Sequence, residues 1–160
     1  QGAKIACGGG IPKGRNVGWY YEPTVLTGVT PDMAIVRAEL FGPVAPVLKV
    51  KSLDEAIALA NASRYGLGAA IYTNRLDEAM AATERLDCGM VWVNNVLGDN
   101  DALPFGGWKA SGMGRALSRL GLNAFRQSKM VMLDPKAELQ GWWYPYSDAF
   151  FKERGGDKVG

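Results

Sequence analysis

The stretch "RAELFGPVAP", Arg37 to Pro46, sets a carboxylate two residues ahead of a Phe-Gly-Pro turn, where the chain becomes apolar. A charge at the mouth of a buried strand needs an ion-pair partner or a ligand that donates to it, so Glu39, with Phe41 beside it, is a candidate contact of either kind. Polar side chains gather again in "NNVLGDNDALPFGGWKASGMGR", where Asn95, Asp99, Asn100 and Asp101 alternate with Leu97 and Phe105. A Gly-rich loop after a buried strand is where α/β folds place ligand contacts. The same polar residues also serve a solvated loop closed by local turn bonding. There is no histidine, which excludes Ser-His, Cys-His and His-rich zinc chemistry within the chain. Cys7 and Cys88 form neither a disulfide framework nor a short-spaced metal pair, and read as buried thiols; no metal site is expected.

Two glycine clusters fail as phosphate cradles. "CGGGIPKGR" follows a plausible strand, but Pro12 and Gly14 interrupt the helix whose N-terminus would hold a phosphate, so it reads as a turn. In "GGWKASGMGR" Ala110 separates Lys109 from Ser111, which breaks the Gly-Lys-Ser/Thr order of a P-loop.

The elements that must position these residues are clearest in the middle of the chain. Val47 to Val50 reads as a strand. "SLDEAIALANASRYG" opens with Ser52 and Glu55 in capping-box spacing and carries Leu53, Ala56, Ile57 and Ala60 on one face, with Gly66 as a left-handed stop. "GAAIY" is a second strand. A second helix opens at Asn74, with Leu76, Ala79, Met80 and Thr83 on one side, and "MVWVN" is a third strand. Apolar strands joined by helical crossovers predict a parallel βαβ sheet and an α/β fold. Upstream, Thr30 as N-cap, Pro31 and Asp32 predict a short helix stopped by Gly42 and Pro43. Downstream, "ALSRLGLNAF" is a short helix and "SKMVML" a lone strand. The tail from residue 135 is aromatic, then polar, and is expected on a surface with a frayed tip.

At 160 residues, 48% hydrophobic and 21% charged, the composition is that of about one globular domain, able to bury roughly two-thirds of its unfolded surface. A net charge of +2 with interspersed signs offers no footprint for nucleic acid. No apolar run approaches the length of a membrane span, and no signal peptide is legible, so the expected location is the cytoplasm.

"EPTVLTGV", "AELFGPVAPVLK", "NASRYGLGAAIYT", "GMVWVNN" and "PFGGWKASGMGR" occur here in one order and spacing. In this they resemble the C-terminal portion of the NAD(P)-dependent aldehyde dehydrogenase superfamily, from Gln1 to about Leu133. The resemblance implies three parts: residues 1–126 in the catalytic domain, 127–134 as an oligomerisation strand pairing with a neighbouring subunit, and 135–160 as a tail. It implies that Glu39 accepts hydrogen bonds from the nicotinamide ribose hydroxyls of NAD or NADP, with Phe41 packing near the ring. Without the resemblance, Glu39 pairs with Arg37 or a lysine and Phe41 is core.

It further implies that Phe105 lines an aldehyde tunnel, with Asn95, Leu97 and Asp99 at positions where such enzymes vary their substrate contacts. Asp99 departs from the apolar or aromatic residue common there and favours a polar aldehyde. Ala116 replaces the glutamate of the family's Gly-Arg-Glu.

Aldehyde oxidation of this type proceeds through a cysteine thiohemiacetal and a thioester, with a general base for hydrolysis. The family's nucleophile lies in a Gly-x-x-Cys block upstream of the region matching Gln1, and neither Cys7 nor Cys88 matches it. The expectation is therefore an incomplete chain, inactive in isolation, from an oxidoreductase that forms homo-dimers or tetramers. The alternative is a catalytically inactive stand-alone α/β module that binds a nucleotide or a partner.

Overall fold

The computed structural model describes residues 1–136, 138–140, 143–144 and 146–155. The chain divides into two units, Gln1–Arg126 and Gln127–Gly160.

In the first unit, β1 (Lys4–Cys7) pairs antiparallel with β2 (Thr24–Thr27), and β2 pairs in parallel with β3 (Val44–Pro46). Helix α1 (Ala34–Arg37) lies between β2 and β3 in sequence, and α2 (Leu53–Asn61) follows β3. A two-stranded antiparallel sheet joins β4 (Tyr65–Gly66) to β7 (Trp108–Lys109). The βαβ unit is β5 (Gly68–Ile71), α3 (Leu76–Arg85) and β6 (Met90–Val93), its strands parallel with Gly68 opposite Met90 and Ile71 opposite Val93. Helix α4 (Ser118–Ala124) ends the series. The class is thus α/β, but the single parallel sheet expected from the strand pattern is replaced by three short sheets.

Residues 47–50, expected as a strand, form none; the strand lies earlier, at β3. β2 ends at Thr27, and Gly28 after it has a φ of 64°, a left-handed conformation that suits glycine. The bonding beside β3 ends with the Val47 N–H, which donates to Leu26 at 2.8 Å.

Capping chemistry explains where the helices begin. Ser52 accepts from the Glu55 N–H at 3.2 Å, and the Glu55 carboxylate reaches one residue further back than a standard capping box, to the Lys51 N–H at 2.7 Å. Helix α2 ends at Asn61, not at Gly66. Gly66 lies in β4, where a Cβ would sit 2.6 Å from the Asp87 carbonyl oxygen. Helix α3 starts at Leu76 and buries Ala79 and Ala82, leaving Leu76 77% and Met80 52% exposed. Small side chains let it approach α2, and the two helices are tied by Arg85–Asp54 at 2.7 Å and by Asn61 donating to the Arg85 carbonyl at 2.7 Å. Helix α1 is shorter than its sequence signal. Thr30 turns to the Asp32 side chain, Met33 becomes the N-cap, and the Ala34 N–H is satisfied by Gln1 at 2.9 Å.

"SKMVML" forms no strand, and Met130 to Leu133 are 67–86% exposed. An extended segment needs a neighbouring backbone to count as a strand, and none pairs with it among the described residues. In the second unit, α5 (Asp148–Glu153) was not anticipated; Ser147 caps it by accepting from Phe150 at 3.3 Å. Tyr146 stacks on Phe150 with centroids 5.0 Å apart, and Arg154 lies 4.2 Å over the Phe150 ring. The expected frayed tip, residues 156–160, falls outside the described residues.

The core is thin. Val29, Met33, Ile57, Ala79 and Ala82 are the buried apolar residues, and no large side chain is fully buried among the described residues. The accessible surface is 13136 Å², against about 7,800 Å² for a compact monomer of this size. Roughly half of the unfolded surface is buried, not the two-thirds expected from length. No helix among the described residues is long and apolar enough to cross a membrane.

Candidate functional site

The residues with chemical potential fall around two separate concavities of the first unit. The first spans the β5–β6 pair and measures about 440 Å³; Leu97, Asp99 and Phe105 all line it, together with Met90 and Trp92. Two-residue periodicity puts Met90 and Trp92 on the same face of β6. The Trp92 indole crosses β5 where Gly68 leaves room, since a Cβ on Gly68 would stand 2.5 Å from the ring. From that position the indole N–H donates to the Gly98 carbonyl at 2.9 Å, which pins the loop next to Asp99.

The loop has other anchors. Asn94 exchanges two hydrogen bonds with the backbone of Thr73, at 2.9 and 2.8 Å. Asn94 and Leu97 both take left-handed backbone, with φ of 55° and 57°; asparagine accepts this readily, whereas leucine does so at a cost that surrounding contacts must offset. At the far end Phe105 and Ala116 exchange backbone hydrogen bonds of 2.9 and 2.8 Å. Asn95 is not on this lining; its side chain accepts from the Val96 N–H at 2.7 Å, a local turn contact. Three of the four sequence-identified residues therefore converge. Trp92 and Gly68, which organise them, were missed, because an apolar strand residue and a glycine carry no chemical signal of their own.

The second concavity, about 480 Å³, is lined by Glu39 with Asn61, Asp87, Cys88 and Ser111 among others. Arg37 is not the partner of Glu39: its guanidinium donates to the Asp32 carbonyl. Glu39 has no hydrogen bond or ion pair among the described residues and is exposed. Phe41 is 94% exposed and does not line this cleft, which corrects its reading as a core residue. Around the cleft, Asn61 accepts from the Asp87 N–H at 2.8 Å, Lys109 donates to the carbonyls of Asn61 and Ser63, and Ser111 accepts from the Gly66 N–H at 3.0 Å.

Cys7 is exposed, against the expectation of a buried thiol, and Cys88 is half-buried. Burial pushes the Cys88 thiol up, against the backbone of Met90 and the Lys109 charge, which pull the other way; the thiol itself donates to the Met90 carbonyl at 3.1 Å. A protonated thiol is a weak nucleophile. Among the described residues no group of three His, Cys, Asp or Glu side chains is placed to hold a metal ion.

Comparison with known proteins gives a consistent relationship. The aldehyde dehydrogenase family matches residues 1–131. The succinate-semialdehyde dehydrogenase [NADP(+)] of Deinococcus radiodurans is 50% identical over 135 residues, 84% of this chain and 28% of that protein. The solved NAD-dependent aldehyde dehydrogenase of Sinorhizobium meliloti superposes with a TM-score of 0.81 at 43% identity, covering 89% of this chain and 28% of that one. A betaine aldehyde dehydrogenase of Staphylococcus aureus, solved in complex with NAD+, also gives 0.81, at 38% identity and with coverages of 89% and 29%. The chain thus spans little more than a quarter of the length of these relatives.

Proposed function

The chain belongs to the aldehyde dehydrogenase family, and on that premise we propose that it is the C-terminal portion of an oxidoreductase converting an aldehyde to a carboxylic acid with NAD or NADP. The observation that carries this reading is the convergence of Leu97, Asp99 and Phe105 on one cavity of the β5–β6 face. An apolar lining with a ring and one placed polar group is what a small organic substrate requires. Asn95 lies off this lining, and its part is confined to the turn it closes by accepting from the Val96 N–H.

Glu39 is the cofactor contact. An ionised carboxylate beside open space, without a partner among the described residues, suits the vicinal hydroxyls of a ribose, each of which donates one hydrogen bond. Phe41 is exposed and available to pack on a planar ring. NAD(P), when bound, supplies the hydride acceptor; this chain's residues hold and orient it. The nucleophilic cysteine belongs to a Gly-x-x-Cys block preceding Gln1, since neither Cys7, in the β1 ladder, nor Cys88 matches that block. Residues 1–126 are then part of the catalytic domain. Residues 127–134 form an oligomerisation strand whose backbone is completed by a neighbouring subunit, giving a homo-dimer or tetramer. Residues 135–160 form a tail, and the enzyme works in the cytoplasm.

The test is the intact reading frame. Its product is expected to reduce NAD+ or NADP+ in the presence of an aldehyde, and to lose that activity when the upstream cysteine becomes alanine. A frame that opens at an authentic start immediately before Gln1, with no Gly-x-x-Cys block, overturns the reading.

A further inference from the structure

We propose that Asp99 makes the β5–β6 cavity selective for the charge on the distal end of the aldehyde, favouring cationic heads of the ammonium type and disfavouring carboxylates. This rests on reading the cavity as the aldehyde wall and adds to that reading the sign of the charge it accepts.

Asp99 is the only charged residue on the lining. Its carboxylate has no hydrogen bond or ion pair among the described residues, so no local cation neutralises it. The acid's neighbours are tied back: Gly98 accepts from Trp92 at 2.9 Å, Asn100 accepts from the Ala102 N–H at 2.8 Å, and the Asp101 carbonyl accepts from the Ser118 N–H at 2.8 Å. These bonds hold the backbone on both sides of Asp99, whose exposed side chain lines the cavity.

The rest of the lining acts in the same direction. Trp92 and Phe105 present aromatic rings, whose faces attract cations. Met90, Val96 and Leu97 make the surroundings apolar. Strongly hydrated ions lose more there than a trimethylammonium group, whose charge is covered by methyls. A distal carboxylate meets like charge from Asp99 and an apolar wall, with no cationic side chain on the lining to offset them, and the Trp92 indole N–H there is already given to the Gly98 carbonyl. The two relatives that frame the choice act on aldehydes of opposite charge: succinate semialdehyde ends in a carboxylate and betaine aldehyde in a trimethylammonium. The lining assigns this chain to the second type.

The experiment compares matched aldehydes on the full-length enzyme that contains this chain. Betaine aldehyde and its neutral carbon isostere, 3,3-dimethylbutanal, differ in charge and hardly in shape. The ratio of their kcat/KM values is expected to fall about tenfold in Asp99→Asn, the size expected of one unit charge in a partly hydrated site. It should recover in Asp99→Glu, while succinate semialdehyde improves in Asp99→Asn. An unchanged ratio with neutral-aldehyde turnover present overturns the charge assignment and leaves the enzymatic reading standing. Absence of turnover with every aldehyde overturns the enzymatic reading. The charge assignment is then read by calorimetry with choline against 3,3-dimethylbutan-1-ol. A choline preference lost in Asp99→Asn supports it, and equal binding of the two in wild type overturns it.

Discussion

Glu39 illustrates how a residue's meaning depends on what its neighbours already do. Arg37, two positions away, donates to the Asp32 carbonyl, so the carboxylate keeps both oxygens for another donor. In the intact enzyme Glu39→Gln is expected to lower kcat/KM for NAD(P)+ about tenfold, because a neutral amide replaces a charge-assisted acceptor. Thermal stability should stay within about 0.5 kcal/mol of wild type, as for an exposed side chain without structural contacts. A parallel loss of stability and cofactor affinity would instead make Glu39 structural. Phe105→Ala should change the rank order of aldehydes and leave cofactor affinity alone; the reverse pattern would remove Phe105 from the substrate wall. Cys88 gives a pH-dependent expectation. Burial raises its pKa above the ordinary thiol value of 9.0, so its thiolate fraction is depressed at neutral pH and grows only as pH climbs through the raised value. Alkylation followed by peptide mass spectrometry should find Cys88 labelled more slowly than an unhindered peptide thiol at pH 8 and gaining on it as pH rises. Equal rates at pH 8 would contradict the burial effect.

The elements hold these residues through contacts that differ greatly in how plainly the sequence announces them. Ser52 and Glu55 were legible because a cap is a local event: the hydroxyl and the N–H it serves are three residues apart. The β5–α3–β6 unit was legible for a similar reason, since apolar runs and helical periodicity both act over short windows. The splitting of the sheet was not, because it lies in which strands pair, β2 with β3, β4 with β7 and β5 with β6, a long-range matter that no short window records. Glu39, Leu97, Asp99 and Phe105 could be nominated from motif resemblance, yet their separation into two concavities follows from how β4 to β7 pair. The Gly68–Trp92–Gly98 chain was invisible for the same reason. Gly68→Ala should expose its role. The added methyl would meet the indole at 2.5 Å, at a cost of about 1–3 kcal/mol as overpacking, and should break the bond that pins the loop. Hydrogen exchange is expected to quicken across residues 94–104 and stay unchanged in α2, and the aldehyde KM should rise more than that of the cofactor. Exchange unaltered in the loop would deny Trp92 its positioning role. Ser52→Ala is the contrasting case: about 1 kcal/mol of helix stability lost, with faster exchange confined to α2 and no shift in aldehyde preference.

For the molecule as a whole, surface area decides what the isolated chain can do. Its 13136 Å² of accessible surface exceeds that of a compact monomer of similar size by about 5,000 Å², and many large apolar side chains are exposed on it. One example is the groove of about 560 Å³ between α1 and α2, where Val36, Leu48, Val50, Ala56 and Leu59 line an open wall. Another is the β5–β6 pair, a two-stranded parallel sheet, an arrangement that folds ordinarily cover on both faces and extend with further strands. A third is Met130 to Leu133, apolar and without a ladder among the described residues, which invites edge-to-edge pairing. Hydrophobic burial is the main term opposing chain entropy, and leaving these faces open removes part of it. The 160 residues expressed alone are therefore expected to bind a hydrophobic dye, to unfold in urea over a broad transition with a reduced m-value, and to associate at micromolar concentration. Joined to the preceding segment of the proposed enzyme, the same residues should show dye binding abolished and a single steep transition, since the added strands and helices would cover the groove and extend the β5–β6 pair while leaving the aldehyde cavity open. A monomer that unfolds cooperatively and binds NAD(P) unaided would reverse the conclusion and make the chain a self-sufficient binding module.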